Sequence, residues 1–172
     1  MLLKAQRRRI ALLLGLAGVA IAAAMAGGPR PPRLIWNATA SAPIGLYAVR
    51  RAHFLVRGEL VLAKLPPVMA RLAARRGYLP KGVPVVKRIA GLVGDEICAH
   101  GQRLWRNGRL LAHRLAADSK HRPLPRWQGC LRLTRRDVFL LMAHKRYSFD
   151  SRYFGPVRRA AIIGRLVPLW LR

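Results

Sequence analysis

The sequence predicts a mainly β domain behind a single N-terminal membrane helix, and three observations lead there. A run without charge extends from Ile10 through Pro29 and follows a basic flank. Beyond Pro32 the apolar residues come in short runs of about four to eight, separated by Gly, Pro or charged turns, which is strand-like patterning. Asn107-Gly108 then sits between two of those runs, where it supplies the two positive-φ positions of a tight hairpin turn. A chain of 172 residues with 52% hydrophobic residues suits one modest domain with an ample core.

The elements follow in chain order. Residues 1–9 carry Lys4 and Arg7 to Arg9 and form the basic flank. Residues 10–29 are long enough as a helix to rise roughly 30 Å, about one hydrocarbon thickness. Four basic side chains precede the run and only Arg30 and Arg33 follow closely, so the N-terminus is expected on the cytoplasmic side. Pro29, Pro31 and Pro32 end the helix and stiffen the exit. A cleaved signal peptide is the competing reading, because "AMA" at Ala24 to Ala26 has the small-x-small pattern. Either reading sends residues 30–172 across the membrane.

In the exported part, strands are expected at "GLYAV", "ELVLAKL", "VPVVKRIAGLV", "DVFLLMA" and "AAIIGRLVPLWL", with a hairpin at "RLWRNGRLLA". One helix is expected in "PPVMARLAARRGY", started by Pro66 or Pro67 and stopped by Gly77. Val68, Leu72 and Tyr78 would pack down while Arg71, Arg75 and Arg76 face water. Cys98 and Cys130 are the two cysteines, and outside the cytoplasmic membrane a disulfide between them is expected. Closing a loop of about 30 residues would stabilise by roughly 3 to 4 kcal/mol in the chain-entropy model. Two free thiols and a zinc site remain alternatives. His100, His113 and His121 lie between the cysteines, but no C-x-x-C or H-x-x-x-H spacing occurs, so no metal or other cofactor is expected. Hairpin and cysteines together suggest an inserted β-ribbon from about Ala99 to Asp137.

Charge narrows the chemistry. Lys and Arg number 33 against 6 Asp and Glu, a formal charge of +27, which attracts polyanions such as anionic lipid. A membrane-tethered basic module binding nucleic acid or lipid is therefore one candidate. No nucleic-acid fold signature occurs, however, and a nucleic-acid partner is not expected. Among the carboxylates only Asp95-Glu96 lie close in sequence, which gives poor support to a two-carboxylate mechanism.

The segment "NATASAPIGLYAV" raises the possibility of a nucleophile at Ser41. A serine hydroxyl needs a base within hydrogen-bond reach. None of His53, His100, His113, His121 and His144 sits in a recognisable motif, and "ASAPIG" is not G-x-S-x-G. Lys87 is the better candidate. Alternation in "VPVVKRI" puts Val83, Val85, Lys87 and Ile89 on one face, with Pro84, Val86 and Arg88 on the other. An ammonium among apolar neighbours loses hydration, which favours the neutral amine that a general base must be. The alternative is a lysine whose stem packs while its head reaches solvent. In extended backbone Thr39 and Ser41 would project to the same side, so that one hydroxyl attacks while the other donates to a developing oxyanion.

Three motifs in one order, "TASAPIGLY", "KRIAGLVGDEI" and "SFDSRYFGPV", resemble the type I signal peptidase family of membrane-bound Ser-Lys proteases. The similarity is closer still to its conjugative-transfer branch, the TraF-type peptidases that mature pilin precursors. The resemblance implies a coiled β-sheet catalytic domain in the periplasm, behind an anchor in the bacterial inner membrane. It implies Ser41 as nucleophile, Lys87 as general base, Thr39 and the Ser41 backbone N–H as oxyanion donors, and Ser148 as the hydroxyl that orients the lysine. Asp150 and Arg152 match an ion pair bracing that loop, and Gly94-Asp95 fits the turn after the lysine strand. The implied substrate is a membrane-tethered precursor, a conjugative pilin subunit, which is hydrolysed or cyclised. A general leader peptidase is the alternative. Against it, Ala42 replaces a Met often found after the nucleophile, and "LLMAHKRY" replaces the usual Gly-Asp-Asn-rich stretch.

Overall fold

The computed structural model describes residues 32–172. The basic flank at 1–9 and the expected membrane segment at 10–29 lie outside the described residues, as does the choice between anchor and cleaved signal. Among the described residues, no helix is long and apolar enough to cross a membrane.

The domain is mainly β, built from two antiparallel sheets. The first holds β1 (Leu34–Asn37), β2 (Gly45–Arg50), β3 (Leu60–Ala63), β4 (Val85–Gly91), β9 (Asp137–Leu140), β10 (Val157–Arg158) and β11 (Ile162–Leu171). Their order across the sheet is β1-β2-β11-β3-β4-β9-β10. The long β11 joins two parts, pairing with β3 through Ile162–Arg165 and with β2 through Arg165–Leu171. Bulges interrupt both pairings and the β4–β9 pairing at Ile89/Gly91, which sharpens the local twist. Gly164 permits the close approach of β11 to β2, since a Cβ there would lie 2.6 Å from Arg50 O.

Alternation along β3 sends its side chains to two cores. Leu60 and Leu62 pack with Tyr47, Val86, Met142 and Leu166, while Val61 and Ala63 pack with Ile89, Val138, Leu140 and Val157. Burial on both faces explains why β3 reads as a continuous apolar run.

The second sheet holds β5 (Glu96–His100), β6 (Arg103–Arg106), β7 (Arg109–His113) and β8 (Gly129–Arg132), in the order β7-β6-β5-β8. Asn107 and Gly108 make the β6–β7 turn with φ of 50° and 76°. The segment expected as an inserted β-ribbon from about Ala99 to Asp137 holds β6, β7 and β8, and with β5 these make a four-stranded sheet whose first strand begins at Glu96. Ile97, Ala99, Leu104 and Ala112 bury against Leu133, Phe139 and Leu141, which ties this sheet to the chain around β9. Cys98 and Cys130 face one another across β5 and β8 and are joined by a disulfide.

Helix α1 (Pro67–Arg75) begins after Pro66, and Gly77 lies beyond its C-cap Arg76 with φ of 73°. Its packing differs from the sequence reading. Val68 is exposed and the buried residue is Ala73, while Leu72 and Tyr78 are half-buried. A second short helix, α2 (Ser151–Phe154), is N-capped by Asp150, whose carboxylate accepts from Arg152 N.

Candidate active site

Ser41 lies in a turn between β1 and β2, and the turn is organised by Asn37 at the end of β1. The Asn37 side chain is buried and nearly saturated. Its Nδ2 donates to Thr39 O at 3.0 Å, Ala42 O at 3.2 Å and Pro43 O at 2.9 Å. Its Oδ1 accepts from Thr39 N at 3.3 Å and from Thr39 Oγ1 at 2.8 Å. Pro43 O also accepts from Tyr47 Oη at 2.7 Å. Ala42 N donates to Thr39 O, so the backbone here turns where the sequence reading supposed it extended. The two hydroxyls nevertheless meet: Thr39 Oγ1 is 3.3 Å from Ser41 Oγ. With its one proton committed to Asn37, Thr39 is the acceptor in that contact.

Lys87 comes from the middle of β4. Val85 and Ile89 pack into the core on one side and Val86 into the other, whereas Arg88 is exposed and donates to Gly58 O. Lys87 itself is 4% exposed, and its Nζ donates to Ser41 Oγ at 3.0 Å. Burial lowers its pKa from the ordinary 10.5 to about 8; the Asp150 carboxylate opposes the shift and the Arg152 guanidinium adds to it. An amine in that range is neutral in a useful fraction of molecules near physiological pH.

The third motif packs beside the lysine. Asp150 and Arg152 are completely buried and paired at 2.7 Å. Asp150 Oδ2 also accepts from Met142 N, and Arg152 donates to Met142 O at 2.8 Å and to His113 O at 3.0 Å. Ser151 Oγ accepts from Leu140 N, and Tyr153 Oη accepts from Leu115 N. The segment therefore ties the end of β9 to the second sheet. Ser148 is buried here, and among the described residues its Oγ has no hydrogen-bond partner, so no bond to Lys87 Nζ is formed.

Ser41, Thr39 and Lys87 form the polar end of a cleft of about 780 Å³. Most of the remaining wall is apolar and aromatic, with Leu79, Val83 and Phe149 among its residues. Asp118 closes one side, receiving hydrogen bonds from Tyr78 Oη and from Arg122 Nε, the latter at 2.7 Å.

The sequence does not mark Asn37 or Asp118 as site residues, and it marks Tyr78 only as a packing residue. Asn37 opens the nucleophile segment and its amide chemistry favours turns, which was the available signal. Asp118 and Tyr78 lie 40 residues apart, and no local pattern joins them. Asp95 accepts from Arg57 Nη2, Asn107 Nδ2 and Leu92 N, which fixes the turn after the lysine strand.

A family model described as signal peptidase, peptidase S26, matches residues 6–170. A plasmid transfer protein TraF from Escherichia coli is 36% identical over 143 residues, covering 77% of this chain and 80% of the relative. A second such TraF protein from Escherichia coli is 34% identical over 166 residues, covering 90% of this chain and 92% of the relative. The crystal structure of a signal peptidase I from Enterococcus faecalis V583 covers 70% of this chain and 100% of its own, at 23% identity and a TM-score of 0.40.

Proposed function

Because this chain belongs to the signal peptidase (peptidase S26) family, we propose that it is a Ser-Lys endopeptidase acting on an exported precursor. The observation that carries the reading is the 3.0 Å contact between Ser41 Oγ and a buried Lys87 whose pKa falls to about 8. In the neutral form the Lys87 amine accepts the Ser41 proton as Oγ attacks the scissile carbonyl carbon. The Ser41 backbone N–H and the Thr39 hydroxyl donate to the resulting oxyanion. For Thr39 this requires its proton to leave Asn37 Oδ1 and turn to the substrate oxygen. Lys87, now protonated, gives the proton to the departing amine and leaves an acyl-enzyme on Ser41. The regenerated amine then takes a proton from the water that attacks the ester and gives it to Ser41 Oγ as the acyl bond breaks, so the acid product departs with Ser41 and the neutral amine restored. Ser148, Asp150 and Arg152 act as supports: the ion pair fixes the wall beside Lys87, and the Ser148 hydroxyl is available to orient the amine.

The TraF relatives are plasmid transfer proteins, which supports a specialised precursor of the conjugation apparatus, a pilin subunit, over general leader processing. In this reading the acyl-enzyme is released either by water or by an amine that circularises the product, and the product mass distinguishes the two. The proposal includes an anchor at residues 10–29 in the bacterial inner membrane, a cytoplasmic N-terminus and a periplasmic catalytic domain from residue 30 onward. The experiment is processing of a candidate pilin precursor by purified full-length chain, read by mass spectrometry. Ser41→Ala and Lys87→Ala are expected to leave the precursor intact. Full processing by either variant defeats the mechanism.

A further inference from the structure

The proposed mechanism uses none of the chemistry on the outer side of the second sheet. Alternation along β5 turns Ile97 and Ala99 into the core, where both are fully buried, and Glu96, Cys98 and His100 to the opposite side. Cys130 of β8 is registered directly across from Cys98. The donor atoms of Cys98, His100 and Cys130 all lie within 4.8 Å of one another. Cys130 Sγ is 3.8 Å from His100 Nε2, and Cys98 Sγ is 3.9 Å from Glu96 Oε1. Three side chains of metal-binding type thus cluster on one strand pair with Glu96 beside Cys98, and the two cysteines are bonded to each other as a disulfide.

We propose that the reduced chain binds one thiophilic divalent cation of the zinc type through Cys98, Cys130 and His100, with Glu96 as the fourth ligand. Cys130 is exposed, so a small dithiol can reach the bridge. One thiolate of the dithiol attacks a bridge sulfur, and its second thiol resolves the mixed disulfide. The dithiol leaves as a cyclic disulfide, having given two electrons, and Cys98 and Cys130 become thiols. Binding of the cation then releases two protons as both become thiolates.

Geometry and charge favour this ion type. Zinc–sulfur bonds of about 2.3 Å and zinc–nitrogen bonds of about 2.0 Å place tetrahedral sulfur and nitrogen roughly 3.5 Å apart. The existing sulfur–nitrogen spacing of 3.8 Å is already near that value. On reduction the two sulfurs need only draw apart by rotation about their Cα–Cβ bonds, because the strands supply a fixed backbone. Two thiolates and one carboxylate around a divalent cation leave a single negative charge. Arg132 stands across from Glu96 and Arg103 across from His100 to balance it. The donors follow strand spacing, Glu-x-Cys-x-His, which is why turn-type spacings do not reveal them. Either crosslink, covalent or metallic, fastens β8 to β5.

The test is independent of protease activity. Full-length chain in detergent is reduced without oxygen and titrated with Co²⁺. One equivalent is expected to produce thiolate-to-cobalt charge-transfer bands and the visible spectrum of a tetrahedral ion, which Zn²⁺ then abolishes. Oxidised chain is expected to give neither. His100→Ala should weaken binding by about tenfold or more, and Glu96→Gln by less. No stoichiometric cobalt spectrum in the reduced chain overturns the proposal, as does an undiminished affinity in His100→Ala. If reduction lowers the β-sheet circular dichroism and Co²⁺ does not restore it, the proposal also fails.

Discussion

Ser41 sits in a turn held by the neutral amide of Asn37, whereas Lys87 sits in the middle of a strand beside a fully buried ion pair. The turn is half open to solvent: Thr39 is exposed and Ser41 intermediate. The lysine side is dry, and Asp150 and Arg152 are no more than 1% exposed. A nucleophile must admit a substrate carbonyl and let Thr39 exchange one partner for another, which neutral hydrogen bonds of modest net strength allow. A base must keep its amine away from water, and that demands a wall that does not open. The difference teaches that, in the mechanism proposed above, nucleophile and base are each held by the kind of interaction suited to its task.

The strongest way to break that comparison is at Lys87. Lys87→Met removes the proposed base and is expected to lower processing by about 10²–10⁴-fold, read as initial rate. It should also stabilise the fold at pH 7. The amine has a folded pKa of about 8 against an ordinary 10.5, so the folded state holds fewer protons between those values. Stability therefore rises with pH across that window, and the penalty is fully present below about pH 8. The full penalty is about 3 kcal/mol, of which Met is expected to recover about 1 to 3 in denaturant unfolding. Wild-type processing should rise with pH through about 8. A flat profile from pH 6 to 9 would remove Lys87 from the rate-limiting chemistry.

Next comes the wall itself. Arg152→Leu leaves the Asp150 carboxylate buried without its partner and strips hydrogen bonds from Met142 O and His113 O. Loss of one member of a buried pair is expected to destabilise by about 3 to 5 kcal/mol. The unfolding midpoint measures it. A loss below about 1 kcal/mol would mean that the pair is not what keeps the base side closed.

Asn37→Ala probes the other half. Its five hydrogen bonds collapse at once, but water can reach several of the freed carbonyls, so about 1 to 3 kcal/mol is expected. Processing should fall further than stability accounts for, because Thr39 and Ser41 lose their common hold. Unchanged kcat in a folded Asn37→Ala chain would show that Ser41 is positioned without it.

These variants also separate what the sequence discloses from what it hides. The short apolar runs, the Asn107-Gly108 hairpin and the ordered motifs around Ser41, Lys87 and Asp150 are local patterns, and local patterns survive in a bare sequence. The four-stranded form of the second sheet was hidden, because β5 and β8 are short and pair only through register. Val68 misled for a similar reason: amphipathic spacing gives the periodicity of α1 but not its rotation, and Ala73 became the buried contact. Asn37 stands just before the first motif, and its importance is a count of hydrogen bonds that only a closed turn creates. Tyr78 and Asp118 meet across the cleft by topology alone.

The smallest expected effect sharpens the argument about burial. Arg57 approaches Asp95 nearly as closely as Arg152 approaches Asp150, with Nη2 at 2.9 Å from both carboxylate oxygens against 2.7 Å for the buried pair. Arg57, however, is 49% exposed, and Asp95 keeps Asn107 Nδ2 and Leu92 N as donors when Arg57 is gone. Arg57→Ala is therefore expected to cost under about 1 kcal/mol, and less at high salt. Urea midpoints for Arg57→Ala and Arg152→Leu, measured together, test the point directly. Equal losses would show that contact distance decides the strength of these pairs; a gap of several-fold in favour of Arg152 shows that exclusion of water does, which is the condition Lys87 depends on.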